Sequence, residues 1–194
     1  AFSIYWPGDL FDPTSEFDHI SLYKLIMPLT EKSMKILHGN YEGKTMLSTT
    51  GCDWELFNAR FHALKQGNNP KKERQIIGYI GNISSFRLDF ETLERLVSAS
   101  KKWDFKFHGP IEQDSKTLEW VEKLSSFKNC NFAGEVNYDQ VPNTITSFDV
   151  GIIPYNLNKF NLGTNPNKFF EYAAMGVACI SSRIPSLQKF SDFI

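Results

Sequence analysis

From Gln75 to Ser182, short apolar runs alternate with amphipathic stretches, and the alternation repeats five times. "QIIGYIG", "DFKFHG", "NCNFAG", "DVGIIPY" and "GVACISS" are too short and too continuously apolar for helices and predict buried strands. Between them, "LDFETLERLVSASKK" places Phe90, Leu93, Leu96 and Val97 at helical spacing behind Asp89. "KTLEWVEKLSSF" puts Leu118, Val121 and Leu124 on one face, and "DQVPNTITSF" predicts a short helix capped by Asp139. "GTNPNKFFEYAAMG" reads as a helix with Asn165 as N-cap, Pro166 at the first position and Gly176 beyond the end. Five β–α repeats with short connections predict an α/β fold, a doubly wound parallel sheet with helices on both faces.

Upstream of Gln75 the pattern changes. "FSIYW", "SLYKLIM" and "KTMLST" read as strands and "PLTEKSMKIL" as a helix, too few elements for a complete α/β domain. The polar, lysine-rich "HALKQGNNPKKERQ" reads as a linker. The expected organisation is therefore a partial first domain over 1–65, a linker over 66–74 and a second domain over 75–194. The chain opens without Met, directly in strand-like sequence, and is expected to be a piece of a longer protein.

Ligands of parallel sheets bind beyond the carboxyl ends of the strands. There the chain carries Gly81 and Asn82, then His108, Gly109 and Pro110, then Gly134, and finally Pro154 and Tyr155 before the loop "NLNKFNLGTNP". The helix behind that loop holds the oddest residue. Lys168 sits in its first turn, where the dipole disfavours a cation by a few tenths to about 1 kcal/mol. A bound anion would offset this cost, since free N–H groups at a helix start already favour phosphate. Thr164 and the loop N–H groups would add hydrogen bonds, and Glu171 on the same face would accept from a ribose diol. The plain alternative is an i,i+3 Lys–Glu surface pair worth a few tenths of a kcal/mol.

Composition narrows the class. Twenty-one basic against twenty-two acidic residues give no basic excess, so no nucleic-acid partner is expected. Cys52, Cys130 and Cys179 lack metal-ligand spacing and read as free thiols of a reducing compartment. Histidines are scattered, no metal site is expected, and GxGxxG, P-loop and GxSxG signatures are absent. The tyrosines and phenylalanines fall at core-like spacings and are assigned to packing. The opening has no basic stretch followed by an apolar one, and no secretory leader is expected.

In order along the chain, "IIGYIGNIS", "FKFHGP", "NCNFAGEVNYDQVP", "FDVGIIPYNLN" and "TNPNKFFEYAAMGVACISS" resemble the nucleotide-sugar-binding domain of GT-B-fold glycosyltransferases. The nearest group is the retaining family 4, of the bacterial surface-polysaccharide type. "LSTTGCDWELF", with Gly51, Asp53 and Phe57, is similar to the segment that closes that family's first domain. The resemblance implies a Rossmann-like C-terminal domain, truncated at its end, plus part of a Rossmann-like N-terminal domain. It implies sugar transfer from a nucleotide-sugar donor to a glycan or lipid-linked acceptor, without cofactor or metal. Lys168 would bind the diphosphate and Glu171 the ribose; Gly81, Asn82, His108, Gly109, Gly134, Glu135 and Val136 would frame the nucleotide. Thr164 and Asn165 would lie near the phosphates or sugar. A cytoplasmic location follows, with peripheral contact at the inner membrane face for a lipid-linked acceptor, and a partner chain is a possible source of the missing half-domain.

Two features depart from the pattern. Gly163 stands where many members carry a glutamate eight residues before the second one, and Asn82 where Arg and Lys often follow the domain's first strand. Arg87 is the candidate substitute. A non-catalytic nucleotide-sugar-binding module and a GT-B-fold epimerase remain open beside the transferase.

Overall fold

The computed structural model describes residues 2–6, 17–38, 41–65 and 73–193. Two compact units emerge. The first comprises 1–51, 157–166 and 183–191, and the second 52–156, 167–182 and 192–194. These units do not follow chain order. Most of the expected linker, residues 66–72, lies outside the described residues.

In the first unit, β1 (Ile4–Tyr5), β2 (Leu25–Ile26) and β3 (Lys44–Thr45) pair in parallel in that order, with α1 (Glu31–His38) between the last two. Thr30 starts α1 by accepting the Ser33 N–H at 3.1 Å. Ile20, Ile26 and Leu37 form a small core against Tyr5, Tyr23 and Tyr41.

The second unit opens with α2 (Trp54–Lys65), capped by Asp53, whose side chain accepts the Leu56 N–H at 3.1 Å. There follow β4 (Gln75–Ile80), α3 (Phe90–Ala99), β5 (Trp103–His108), α4 (Ser115–Ser125), β6 (Cys130–Phe132), α5 (Val141–Ile145), β7 (Val150–Ile153), α6 (Asn167–Ala174) and β8 (Ala178–Ser181). All five strands are parallel, in the order β6-β5-β4-β7-β8. The chain therefore winds outward from β4 in one direction and from β7 in the other. With right-handed crossovers this puts α3 and α4 on one face of the sheet and α6 on the opposite face. The reversal lies between β4 and β7, where Ile77 faces Val150 and Gly78 faces Gly151. A crevice opens at the carboxyl end of such a border.

Four local expectations need correcting. The buried face of α4 runs through Thr117 and Leu124, while Leu118 is 42% exposed, because Thr117 Oγ1 turns inward to accept the Ser85 N–H and Trp120 stacks on Phe90. Leu96 of α3 is likewise 39% exposed, although Phe90, Leu93 and Val97 are buried. Asp139 caps nothing. It lies within the 3-10 turn Tyr138–Gln140, and α5 starts only after it, with Pro142 in its first turn. Helix α6 begins at Asn167, just beyond Pro166, and the Oδ1 of Asn165 has no hydrogen-bond partner, so Asn165 supplies no cap through that oxygen.

Among the described residues no helix is long and apolar enough to cross a membrane. Cys130 and Cys179 are buried, and burial pushes both thiols up to about 12.

Candidate nucleotide site

The loops leaving β4, β5 and β6 lie side by side because their backbones bond directly. The Gly81 N–H donates to the His108 carbonyl at 2.8 Å, and the Gly109 N–H to the Gly134 carbonyl at 2.8 Å. Ile83 continues the row by donating to Pro110 at 2.9 Å. Only glycine fits at two of these points. Gly81 and Gly109 have φ of +139° and +134°, and a Cβ on Gly109 would run into the Gly81 carbonyl. Three expected site segments thus form one continuous rim.

Lys168, the second residue of α6, reaches across the switch point to this rim. A Cβ on Gly81 would collide with its Cε and Nζ. Its ammonium lies 5.3 Å from the Tyr79 ring centroid and 5.8 Å from that of Tyr155. No Lys168–Glu171 ion pair forms between these two described side chains. The lysine is therefore directed at the crevice instead of lying along the helix surface.

Glu171, one turn deeper, is half-buried. Burial raises its carboxyl above the ordinary value, and the Lys168 charge only partly opposes this. Its negative charge also contributes to raising Cys52 and Tyr138, after burial in both cases. His108 is lowered, first by burial and then by Lys106, so its imidazole is neutral near pH 7. Its Nδ1 is buried with no hydrogen-bond partner. Asn82 commits its side-chain amide nitrogen to Glu112 Oε1 at 2.6 Å, while its backbone carbonyl accepts from the Tyr79 hydroxyl at 2.8 Å. Glu135 is exposed and Val136 half-buried beyond Gly134.

Thr164 and Asn165 belong to the first unit, at 2% and 5% exposure. Thr164 Oγ1 donates to the Asn161 carbonyl at 2.9 Å, and the Asn165 carbonyl accepts from Thr50 at 2.8 Å. Tyr79 and Tyr155, read from the sequence as packing residues, are buried at the crevice with Lys168 over both rings. The visible signal was "PY" at the carboxyl end of β7, a rim position where a core residue is not required. Among the described residues no three His, Cys, Asp or Glu side chains group so as to hold a metal ion.

Chemically, the crevice offers a cation, a helix start, a row of backbone loops and a carboxylate one turn away. These are groups suited to an anion attached to a hydroxylated ring. A family model described as "Glycosyl transferase-like" matches residues 87–192, which runs through this crevice from the loop after β4 to beyond β8. The chain belongs to the glycosyl transferase-like family.

Within the family, the chain is similar to TuaH of Bacillus subtilis, a putative teichuronic acid biosynthesis glycosyltransferase, with 27% identity over 139 residues. That match covers 72% of this chain and 34% of TuaH. Among solved structures, HepE of Anabaena, crystallised with UDP and glucose, superposes with a TM-score of 0.68 at 12% identity. It covers 96% of this chain and 54% of HepE. Sucrose-phosphate synthase of Thermosynechococcus elongatus superposes at 0.65 with 14% identity, covering 91% of this chain and 45% of its own. The chain thus spans about a third to a half of the length of these relatives, and it shares the Rossmann-like fold of GT-B glycosyltransferases.

Proposed function

We propose that this glycosyl transferase-like chain binds the nucleotide-sugar donor of a retaining, metal-independent glycosyltransferase of family 4. The acceptor is a glycan or lipid-linked glycan of polysaccharide biosynthesis, and the protein works in the cytoplasm, with peripheral contact at the inner membrane face where the acceptor is lipid-linked. The observation that carries this reading is Lys168, which leaves the first turn of α6 and lies against Gly81 at the switch point. A cation there adds to the positive end of the helix dipole, and an arriving negative charge would offset that cost. In the reaction the bond between the anomeric carbon and the diphosphate breaks, and negative charge builds on the departing phosphate. Lys168 and the helix start stabilise that charge more in the transition state than in the bound donor. Glu171 accepts hydrogen bonds from the ribose hydroxyls, and the Gly81, Gly109 and Gly134 loops frame the base through backbone groups.

Gly163 favours a second reading. Without a carboxylate at that position, the chain is a nucleotide-sugar-binding module lacking catalysis of its own. The first reading is tested by calorimetric titration with UDP, GDP and dTDP, UDP first because HepE was crystallised with it. One nucleotide is expected to bind, and Lys168→Ala and Glu171→Ala are each expected to weaken it. Binding that neither substitution affects would remove the site. Transfer of sugar to any acceptor by the full-length protein would discard the module reading.

A further inference from the structure

The first unit holds a cavity of its own, about 520 Å³ in volume, beyond the carboxyl ends of β2 and β3. All of its lining residues belong to that unit. The two strands stay side by side past their ends, because the Met46 N–H donates to the Ile26 carbonyl at 3.0 Å and the Ser48 N–H to the Pro28 carbonyl at 2.9 Å. Leu29 and Leu47 thereby reach the cavity together and form an apolar floor with Ile36 of α1 and Leu162. The loop that carries Asn165 is tied down on two sides. Thr50 donates to the Asn165 carbonyl at 2.8 Å, and the Ser186 hydroxyl donates to the Thr164 carbonyl at 2.7 Å. Ser186, Gln188 and Lys189 enter the wall from the 3-10 segment Pro185–Phe193.

Two features of this wall call for a ligand. Asn165 is 5% exposed and lines the cavity, yet its Oδ1 has no hydrogen-bond donor. Lys32 and Lys35 of α1 and Lys189 line the same cavity, where Glu31 is the one acidic residue. Among the described residues none of these three lysines forms an ion pair. Lys32 is also the second residue of α1, where the helix dipole adds to its charge. A simple occupant meets only part of this. Water satisfies the Asn165 oxygen and leaves the positive charge unanswered, while a small inorganic anion meets the lysines and leaves the apolar floor bare. A sugar ring bearing an acid group meets all three. Its C–H faces cover the floor, its hydroxyls donate to the amide oxygen, and its acid group accepts from the lysines. The volume lies in the range of roughly 300–1,000 Å³ that takes such small molecules.

We propose that this cavity binds an acidic sugar, one bearing a carboxylate or a phosphate, with Lys32, Lys35 and Lys189 set on its charge. The binding stands on the cavity alone; that this sugar is the acceptor rests on the transferase reading above. The acceptor glycan is then acidic at the unit this chain holds. Lysine is a compact point charge that serves carboxylate and phosphate alike, so the three residues select for charge and not for one of the two acids.

The test is an NMR titration of the chain with methyl glucuronide, glucose-6-phosphate, methyl glucoside and inorganic phosphate. It is repeated on the double variant Lys32→Ala, Lys35→Ala and on Lys35→Glu, with UDP titrated into each. At least one acidic sugar is expected to bind about tenfold or more tighter than methyl glucoside, and tighter than inorganic phosphate. The preference should shrink as salt is raised. Both variants should lose it while keeping the parent chain's UDP affinity, and since both lysines are exposed their melting points should stay close to the parent's. Which acidic sugar is preferred tells carboxylate from phosphate. Equal binding of methyl glucoside, a preference that survives the double variant, inorganic phosphate binding as tightly as glucose-6-phosphate, or no sugar binding at all would each overturn the proposal. If UDP binds and the acidic preference is missing, this inference falls and the donor reading stands. If acidic sugars bind through the lysines and UDP does not bind, the donor reading falls and the cavity keeps its assignment.

Discussion

Helices α3 and α6 start at the same rim in opposite ways. Asp89 closes α3, its carboxylate accepting the Thr92 N–H at 2.9 Å and the Thr92 hydroxyl at 2.7 Å. Asp114 does the same for α4, accepting the Thr117 N–H at 3.0 Å. Each places a negative charge where the dipole wants one. Helix α6 has no acidic residue in its first turn and carries Lys168 there instead. Where the fold needs only a stable helix start, the chain supplies its own anion. At α6 that place is left open and a cation is added, as the proposed donor site would require.

The largest expected effect that would break this contrast is at α6. Lys168→Ala should cost ten- to a hundredfold in UDP affinity. Its stability should change by less than about 1 kcal/mol, because relief at the helix end offsets lost contact with the tyrosine rings. Calorimetry and melting curves separate the two. At α3 the effect should reverse. Asp89→Ala should lose about 1 kcal/mol of stability, read from urea denaturation, because an orphaned N–H is left without its acceptor.

Glu171 sharpens the contrast from inside the site. Its carboxyl is raised in the folded chain, so its ionised form costs stability as pH rises from the ordinary 4.5 through the raised value. Glu171→Gln should therefore be more stable than the parent chain at pH 7, with the gain vanishing toward pH 4.5. UDP affinity of the parent chain should fall over that same window as the carboxylate is protonated, and the Gln variant should not show this dependence.

The smallest effect is at Asp114. Hydrogen bonds from the Thr117 side chain and backbone hold its carboxyl below the ordinary 3.8. Its contribution is present above that value and is lost as pH falls through the lowered one. Asp114→Asn should flatten the acid limb of the stability profile slightly and leave UDP affinity unchanged.

Much of the second unit was legible because its signals are local. Each expected strand is present between Gln75 and Ser181, since short apolar runs bounded by glycine have few alternatives in a buried sheet. Asp89 announced its helix for the same reason, as a cap needs only its own next turn. Leu118 and Leu96 misled because a local period marks an apolar stripe without saying which neighbour covers it. Thr117 was buried instead because Ser85, distant in sequence, needed an acceptor.

The residues alone determined the alternating α/β architecture, the cation at a helix start and the carboxylate one turn beyond it. Strand order, and with it the switch point between β4 and β7, was decided by long-range pairing that no local period encodes. Only that pairing lays Lys168 against Gly81, and only the bridge between Leu88 and Tyr155 brings Arg87 over the Tyr155 ring. Periodicity within a segment fixes what a segment is. Which segments meet depends on burial and hydrogen bonding summed over the whole chain, and the site is made where they meet.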